Sequence, residues 1–313
     1  MSPPRVVSLL PSATEIVAAL GFADALVGRS HECDFPEEVV ELPVCTEPKL
    51  NPAAPSEEIH RSVEALLSQA LSVYRVDSEA LRALEPTHVV TQVQCEVCAV
   101  SLEEVEAALS GWTGARPRLT PLNPSRLADV FDDVRRVAAA LDVPRRGERL
   151  VEGLAGRMES IARRAAALPS RARVATVEWL SPLMTAGNWM PELIAMAGGI
   201  DLLGRAGAHS RWIAWEELRA ADPDVLLVFP CGFRLDRVES EIGLLAGLPG
   251  FADLRAARGG RVYLAESNQF FNRPGPRLAE TLEIVAEVLH PEAFAFGHEG
   301  KGWLRLDPSR HPA

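Results

Sequence analysis

Thiol and imidazole side chains occur at close spacing in two short segments of this chain. The first segment, QCEVCAV, holds Cys95 and Cys98, and the second, SHECDFP, holds His31 and Cys33. Thiolate and imidazole groups bind zinc, and three cysteines with one histidine form a recognised structural zinc set. These four residues therefore define a candidate zinc site. The C-x₂-C spacing supports it only weakly, because the second half of a normal zinc module is missing.

Two other interpretations of these residues stay open. Cysteines at C-x-x-C spacing favour a reversible disulfide, here between Cys95 and Cys98. Alternatively, the thiols are small, soft side chains that line a pocket and coordinate nothing. The choice depends on where the fold places the two segments.

Composition and motifs argue against several classes of protein. A net charge of −11 at pH 7 argues against a nucleic-acid partner and against adhesion to an anionic membrane. Five scattered cysteines do not form a disulfide framework, and they fit a reducing compartment. No window reaches the ~18 apolar residues of a membrane span, and no P-loop, G-x-S-x-G or H-E-x-x-H motif occurs. We therefore expect a non-enzymatic protein that does not insert into membranes.

The N-terminal segment predicts a location for the protein. In MSPPRVVSLLPSATEIV the apolar run is short, Glu15 interrupts the apolar residues after it, and no small-residue cleavage site is present. As written, the chain is expected in the cytoplasm. It would be periplasmic if an export segment had been removed.

Short β-branched runs alternate with longer helical patterns, which predicts an α/β fold with parallel sheets. The predicted strands are residues 6–10, 25–28, 87–91, 173–177, 225–229 and 261–264. Residues 12–15 have the pattern of a capping box for a helix over 15–20, and residues 277–289 form a strong helix. A helical segment over 124–168 is broken only at residues 142–144.

The second half of the chain repeats the first. EALRALEPTHVV from Glu79 aligns without a gap on EELRAADPDVLL from Glu216, and RVVSLLPSATEIVAALG is echoed by RVATVEWLSPLMTAGNWMPELIAMAGG. Similarity at this distance indicates two equivalent lobes and not a short-period solenoid. The predicted division is an N-terminal α/β lobe (1–142), a connecting helix (143–170), a C-terminal α/β lobe (171–297) and a tail (298–313).

Loops beyond the carboxyl ends of the strands bind ligands in open parallel sheets. If the two lobes face each other, such loops from both surround one cleft. Its aromatic walls and cationic contacts would suit a large flat ligand bearing amides or carboxylates. The candidate residues from the C-terminal lobe are Trp179, Trp189, Arg211, Trp212, Phe270, Phe271 and Arg273. Each aromatic side chain could equally cover a hydrophobic seam between helices and sheet.

Six segments together resemble the substrate-binding components of ABC importers for cobalamin, iron-siderophores and haem. They are VSLLPSATEIVAALG, LVGRSHECDFP, SEALRALEPTHVV, GNWMPELIAMAGGIDLLG, WEELRAADPDVLLV and NRPGPRLAETLEIVAEVLHPE, and they span nearly the full length. The resemblance implies two Rossmann-like lobes with parallel sheets joined by one long helix, the class III periplasmic-binding-protein architecture. It further implies a monomer that holds one corrinoid or metal chelate between its lobes.

The resemblance also implies roles for individual residues. In the N-terminal lobe, the residues expected at the ligand are Ser12, Ala13, Thr14, His31, Glu32, Cys33, Gln92, Gln94, Cys95 and Cys98. Glu79 and Glu216, one per lobe, would dock on arginines of an ABC permease. Each is otherwise an ordinary first-turn carboxylate favoured by the helix dipole. No cofactor is required. Cys33 or His31 is a candidate axial ligand to the metal of a bound corrinoid or haem-like molecule.

Two alternatives place the same fold inside the cell. One is a thiol or metal protein that uses Cys33, Cys95 and Cys98, and zinc measured in protein purified without chelator would favour it. The other is a carrier that hands a cofactor to an enzyme, with Glu79 and Glu216 contacting that partner.

Overall fold

The computed structural model describes residues 3–69, 73–93, 102–109, 112 and 115–307. These residues fall into two compact units. The N-terminal unit comprises the described residues within Met1–Ala54, Glu58–Pro124 and Ala128–Gly153, and the C-terminal unit those within Pro55–Glu57, Ser125–Leu127 and Leu154–Ala313.

The first part of the chain forms a parallel sheet with helices between its strands. The strands are β1 (Val6–Ser8), β2 (Leu26–Arg29), β3 (Thr46–Pro48), β4 (Tyr74–Val76), β5 (His88–Gln92) and β6 (Arg118–Leu122). The helices are α1 (Pro11–Val17), α2 (Ser56–Ser68), α3 (Ser78–Ala83), α4 (Leu102–Leu109) and α5 (Leu127–Ala140). The parallel sheet has the order β2-β1-β5-β6, and β3 pairs with β4 in a separate antiparallel ribbon.

Helix α1 begins earlier than the sequence predicts. Its first residue is Pro11, and Leu10 is an N-cap without a side-chain hydrogen bond. Proline fits the first helical position because its φ is already helical and its missing N–H would have no partner there. Ser12 therefore lies inside the helix, and the prediction of a capping box from Ser12 to Glu15 is wrong.

The parallel sheet of the N-terminal unit has an apolar core on each face. Val6 and Val90 belong to one buried cluster, whereas their neighbours Val7 and Val89 belong to the other. Successive side chains of a strand point to opposite faces, so the continuous apolar runs of β1 and β5 are buried on both sides. This is the pattern of a sheet covered by helices on both faces.

The long helical segment is divided where the sequence predicts a break. Helix α5 ends at Ala140, and the next helix, α6 (Pro144–Ala166), begins after Asp142, whose φ is +59°. With 23 residues, α6 is roughly 34 Å long at the usual rise per residue. The boundary between the two units lies within this helix, after Gly153.

The C-terminal unit contains a second parallel sheet. Its strands are β7 (Ala172–Val177), β8 (Trp179–Leu180), β9 (Leu183–Thr185), β10 (Gly199–Asp201), β11 (Arg211–Trp212), β12 (Val225–Val228), β13 (Val262–Ala265) and β14 (Trp303–Arg305). The helices are α7 (Met190–Met196), α8 (Trp215–Ala221), α9 (Leu235–Glu241), α10 (Gly243–Ala246), α11 (Arg255–Arg258) and α12 (Leu278–Leu289). The main sheet has the order β10-β7-β12-β13-β14, and β11-β9-β8 form a small antiparallel sheet.

Strand β14 lies in the segment that the sequence pattern sets apart as a tail. It pairs antiparallel with β13, so that residues 303–305 complete the edge of the main sheet. Its three residues, Trp-Leu-Arg, are too few to show a strand periodicity in sequence.

Equivalent residues in the two halves of the internal repeat form equivalent hydrogen bonds. In the N-terminal unit, the backbone N–H of Arg5 donates to Thr87 Oγ1 (2.9 Å), and Thr87 N–H donates back to the oxygen of Arg5 (2.8 Å). In the C-terminal unit, Arg173 N–H donates to Asp224 Oδ2 (3.1 Å), and Asp224 N–H donates to the oxygen of Arg173 (2.8 Å). These residues are equivalent in the sequence alignment, so the two units repeat one another in hydrogen bonding as well as in sequence.

Candidate functional site

In the N-terminal unit, the strand order places a topological switch between β1 and β5. Crevices beyond the carboxyl ends of strands at such points bind ligands in open α/β sheets. Residues 9–11 follow β1 there, and Gln92, which is 5% exposed, ends β5. Gln94, Cys95 and Cys98 come next in sequence, but they lie outside the described residues. Their role at the ligand therefore stays a prediction.

Four residues predicted at the ligand are packed into the N-terminal unit. Ser12, Ala13, Thr14 and Cys33 are each at most 2% exposed. Thr14 Oγ1 lies 2.8 Å from the hydroxyl oxygen of Ser8 and 3.1 Å from the sulfur of Cys33. Side chains without exposed surface have a packing role in this structure. For these residues, contact with a ligand stays a prediction that their burial does not support.

His31, in contrast, keeps part of its ring outside the core. Its Nδ1 lies 2.8 Å from Thr46 Oγ1, and its ring packs against Tyr74 with centroids 5.2 Å apart. Burial, and to a lesser extent the nearby Arg29 guanidinium, lowers the pKa of His31. Within the described part of the chain, Nε2 has no hydrogen-bond partner. Glu32, beside it, accepts a hydrogen bond from the Tyr74 hydroxyl (3.2 Å).

The candidate zinc set cannot be assembled from the described residues alone. No group of three or more His, Cys, Asp or Glu side chains suited to a metal ion occurs among them. Because Cys95 and Cys98 lie outside that part of the chain, zinc binding and the Cys95–Cys98 disulfide both stay predictions.

The equivalent switch point of the C-terminal unit lies between β7 and β12. Glu178 follows β7 directly and Cys231 lies in the loop after β12, and Cys231 N–H donates to the backbone oxygen of Glu178 (3.0 Å). The carboxylate of Glu178 accepts hydrogen bonds from the Ser210 hydroxyl (2.6 Å) and from Asn272 Nδ2 (3.3 Å). Glu178 is absent from the residues predicted above. Its signal in sequence is a single acidic residue directly after a buried strand.

Two further polar atoms at this edge are buried without a partner. Among the described residues, neither the indole N–H of Trp189 nor Oδ1 of the preceding Asn188 makes a hydrogen bond. Trp189 is 6% exposed and stands at the N-terminus of α7. A buried donor without a partner costs free energy, so a bound ligand or water that accepted this hydrogen bond would be stabilising.

The predicted aromatic and cationic residues of the C-terminal unit divide into buried and exposed groups. Trp179 packs edge-on against Phe233 (5.4 Å between centroids), and Phe271 stacks on Phe229 (4.6 Å). Phe270 is half-buried, and Trp212 is 51% exposed on the short strand β11.

Arg211 also lies on β11, where it forms an ion pair with Glu217, whereas Arg273 is buried and donates to Asn268 Oδ1 (3.2 Å). Of the predicted ligand contacts in this unit, Arg211, Trp212 and Phe270 are the ones that are not buried.

Glu79 and Glu216 occupy equivalent, exposed positions in the two units. Each lies in the first turn of a short helix, α3 or α8, that leads into a central strand of its sheet. Neither carboxylate makes a side-chain hydrogen bond or ion pair with a described residue. The helices are followed at equivalent positions by Glu85 and Asp222, with φ of 42° and 39°.

Two sheets in which four parallel strands have matching order, each with a topological switch point at its carboxyl edge, have the architecture of a two-unit α/β solute-binding protein. The sequence profile described as "Periplasmic binding protein" matches residues 6–268. The chain belongs to this family, whose members bind solutes and are not enzymes. Among the described residues, no helix is both long enough and apolar enough to cross a membrane.

The chain is also similar to individual proteins over most of its length. It is 23% identical over 300 residues to the uncharacterized ABC transporter substrate-binding lipoprotein YvrC of Bacillus subtilis (strain 168), covering 93% of this chain and 82% of YvrC. It is 24% identical to the vitamin B12-binding protein of Vibrio parahaemolyticus, covering 91% and 87%. The solved apo structure of the periplasmic heme-binding protein RhuT from Roseiflexus sp. RS-1 has a TM-score of 0.68 at 24% identity, covering 93% and 100%.

These comparisons confirm the predicted class III fold and the non-enzymatic, ligand-binding function. They do not support the predicted cytoplasmic location, because YvrC is described as a lipoprotein and RhuT as a periplasmic protein. In relatives named for vitamin B12 or heme, that molecule is the ligand and not a cofactor.

Proposed function

We propose that this protein binds a metal-containing tetrapyrrole outside the cytoplasm and delivers it to an ABC permease. The family supplies the general role, since its members bind small ligands for delivery to ABC permeases. Relatives named for vitamin B12 and heme support the ligand class. The observation on which the proposal depends is the arrangement of His31.

His31 has the properties of an axial metal ligand. Its lowered pKa favours the neutral imidazole, which is the form that binds metals. Metal-bound histidines usually donate their second ring N–H to an acceptor, which fixes the tautomer and the ring orientation. Thr46 Oγ1, 2.8 Å from Nδ1, is such an acceptor, and it already accepts the backbone N–H of His31 (3.1 Å). That tautomer leaves the Nε2 lone pair for the metal of a haem or corrinoid.

Cys33 fits this role less well. Its sulfur contacts the Thr14 hydroxyl inside the core, and only 1% of the residue is exposed. In this structure the thiol has almost no surface that a metal could reach. We therefore propose His31, and not Cys33, as the axial ligand.

Titration with candidate ligands tests the proposal. Haemin, cyanocobalamin, cobinamide and a ferric siderophore are each added to purified protein, and tryptophan fluorescence and absorption spectra are recorded. We expect one tetrapyrrole to bind at one molecule per chain, with an absorption spectrum that His31→Ala changes and that Cys33→Ala and the control His60→Ala preserve. No binding of haemin, cyanocobalamin or cobinamide would contradict the proposed ligand class, whether or not the siderophore binds. Binding with a spectrum unchanged in His31→Ala would contradict the axial role alone.

We further propose that Glu79 and Glu216 contact arginines of the permease. The support is their equivalent placement, their exposure and the lack of described partners for either carboxylate. Charge-assisted contacts of this kind weaken as salt rises. The double variant Glu79→Ala/Glu216→Ala should bind permease in lipid nanodiscs more weakly than wild type at low salt and should lose most of the salt dependence. Glu152→Ala, an exposed glutamate on α6, is the matched control. An unchanged salt dependence in the double variant would refute this contact.

A further inference from the structure

One carboxylate holds the carboxyl edge of the C-terminal sheet together. Glu178 accepts hydrogen bonds on its side chain from Ser210 Oγ (2.6 Å) and Asn272 Nδ2 (3.3 Å). Its backbone N–H donates to the oxygen of Met184 (2.7 Å), and its backbone oxygen accepts from Cys231 N–H (3.0 Å). Side chain and backbone together therefore connect this residue to four separate segments of the unit.

The partners of this carboxylate extend the network to further loops. Ser210 Oγ accepts the backbone N–H of Gly187 (3.2 Å), in the loop before α7. The same loop leads to Trp189, whose indole N–H has no partner among the described residues. Asn272 Oδ1 accepts the backbone N–H of Gly232 (3.1 Å) in the loop after β12. The loops around residues 187, 210, 232 and 272 thus take their positions from hydrogen bonds that converge on one side chain.

No described cation compensates the charge of this carboxylate. Among the described residues, Ser210 and Asn272 are its only side-chain partners. Three charged side chains on the neighbouring segments have other partners. Arg211 pairs with Glu217, Arg273 donates to Asn268, and Oε2 of Glu266 accepts the backbone N–H of Leu235. The other titratable or charged groups on these segments are His209, Cys231, Arg234 and Asp236, and none of them bonds to the carboxylate.

This environment favours the protonated acid. Glu178 keeps some exposed surface, but its carboxyl group is surrounded by protein, and burial raises its pKa from 4.5 to about 7. The hydrogen bond from Ser210 opposes that shift and is the smaller effect. The proton on Glu178 is therefore gained or lost close to neutral pH.

We propose that Glu178 is the positioning residue of the C-terminal ligand edge, and that by binding one proton it couples the arrangement of four loops, and with it ligand retention, to pH. The coupling to ligand rests on the proposed function above, whereas the coupling between the proton and the loops does not. Glu178 takes part in no chemical reaction. Its role is to hold the segments that carry the ligand contacts.

The direction of the pH effect follows from the different pKa of Glu178 in the closed and open arrangements of the four loops. When the loops open, water reaches the carboxyl group and its pKa returns toward 4.5, so the open form binds the proton more weakly than the closed form. Opening therefore becomes easier as pH rises from about 4.5 to about 7. A ligand that covers Glu178 removes its remaining water and stabilises the protonated acid further. Ligand binding should then take up a proton and weaken above neutral pH.

Hydrogen exchange of the ligand-free protein tests the coupling to the loops. Backbone exchange in residues 186–190, 208–212, 230–233 and 267–272 is measured by mass spectrometry at pH 6 and pH 8 and corrected for intrinsic rates. With a pKa of about 7 closed and 4.5 open, we expect corrected exchange about tenfold faster at pH 8. In Glu178→Gln, an isosteric amide that does not titrate, the two rates should agree.

Two control variants separate Glu178 from other ionisable groups. Asp133→Asn removes the other carboxyl group whose pKa is raised to about 7, in the N-terminal unit. His209→Gln removes the histidine next to Ser210. Both controls should keep the tenfold difference. The proposal would be overturned if the tenfold difference were lost in either control, were absent from wild type, or persisted in Glu178→Gln.

A second variant keeps the test valid if Glu178→Gln fails to fold. Ser210→Ala removes the hydrogen bond that lowers the pKa of Glu178. The pH at which exchange accelerates should therefore move upward in this variant, measured from pH 5.5 to pH 9. An unchanged or lower midpoint would count against Glu178 as the titrating group.

Ligand titrations complete the experiment. Haemin, cyanocobalamin and cobinamide are titrated at pH 6 and pH 8 in weak buffer with a pH-indicator dye. For whichever binds, we expect proton uptake and up to tenfold weaker affinity at pH 8, both lost in Glu178→Gln. Loop exchange that depends on pH without binding of any of the three would refute the proposed ligand class and leave the proton-loop coupling standing. Binding of a ligand together with pH-independent exchange would refute the proton-loop coupling and leave the proposed ligand class standing.

Discussion

Replacing Asp133 with asparagine should change how the stability of the N-terminal unit depends on pH. Asp133, on α5, is 1% exposed, and its Oδ2 accepts the backbone N–H of Asn123 (3.2 Å). Its other contact is an ion pair with Arg136, whose side chain is 48% exposed. Burial raises the pKa of Asp133 from 3.8 to about 7, against the opposing effects of Arg136 and the Asn123 hydrogen bond. Burial therefore outweighs the ion pair.

The raised pKa sets the sign and size of the effect. The folded state holds the proton more tightly than the unfolded state, so ionisation of Asp133 costs stability as pH rises from about 4 through 7. Between pH 4.5 and pH 8 the linkage relation gives a loss of about 3 kcal/mol from this one group. Asparagine keeps the Asn123 hydrogen bond through its amide oxygen and does not titrate. The variant should thus gain about 3 kcal/mol relative to wild type over that interval.

Urea unfolding at pH 4.5, 6, 7 and 8 measures this difference. Because a protein with two units need not unfold in one step, protection of amides in residues 118–140 should be followed instead of a global signal. If the Arg136 ion pair dominated, ionisation would stabilise the fold and the variant would lose stability relative to wild type as pH rises. The reasoning would be refuted if the difference in stability between variant and wild type did not change with pH, or changed in this opposite direction.

Three other perturbations have defined outcomes. Leu81→Ala and Leu218→Ala remove equivalent side chains, each 0% exposed, and each should cost about 2–5 kcal/mol in urea unfolding of its own unit, with similar values for the two. Gly187→Ala would place a Cβ in steric conflict with the backbone oxygen of Ala208 and should impair ligand binding. Gly153→Ala, in contrast, has nothing within 4 Å and should stabilise its helix by up to about 1 kcal/mol. Glu287→Gln weakens the contacts of a carboxylate that accepts the Trp303 indole N–H (2.8 Å), and limited proteolysis should become faster within residues 296–307. Equal proteolysis of variant and wild type, or unequal costs for the two leucines, would contradict these expectations.

The architecture was accessible from the sequence because its signals are redundant. Apolar runs mark β1, β5, β7, β12 and β13 at once as strands and as buried, and the gapless repeat from Glu79 and Glu216 marks two copies of one unit. The two copies share the backbone pairing at Arg5 and Arg173. Such a repeat constrains topology more strongly than any single pattern does.

The site was less accessible, because residue type does not show exposure. Cys33 and His31 are two residues apart in one loop, yet one is in the core and the other is half-buried, with a ring nitrogen that bonds to no described residue. Trp179 and Trp212 have the same side chain, but only Trp212 is largely exposed. Glu178 is distinguished by its hydrogen bonds with Ser210 and Asn272. These partners lie far from it in the chain, so no local sequence window contains all three residues.

Strand β14 has a consequence for how copies of this protein behave toward each other. It covers the outer backbone groups of β13, and Glu287 fastens the preceding turn through the N–H groups of Phe296 and Gly297. Without it, the N–H and C=O groups of an otherwise buried apolar strand would be free to pair with a neighbouring molecule. A chain cut after α12 should therefore polymerise by adding strands edge to edge. Strand β14 should thus favour colloidal solubility, although it lies past the residues that the family profile matches.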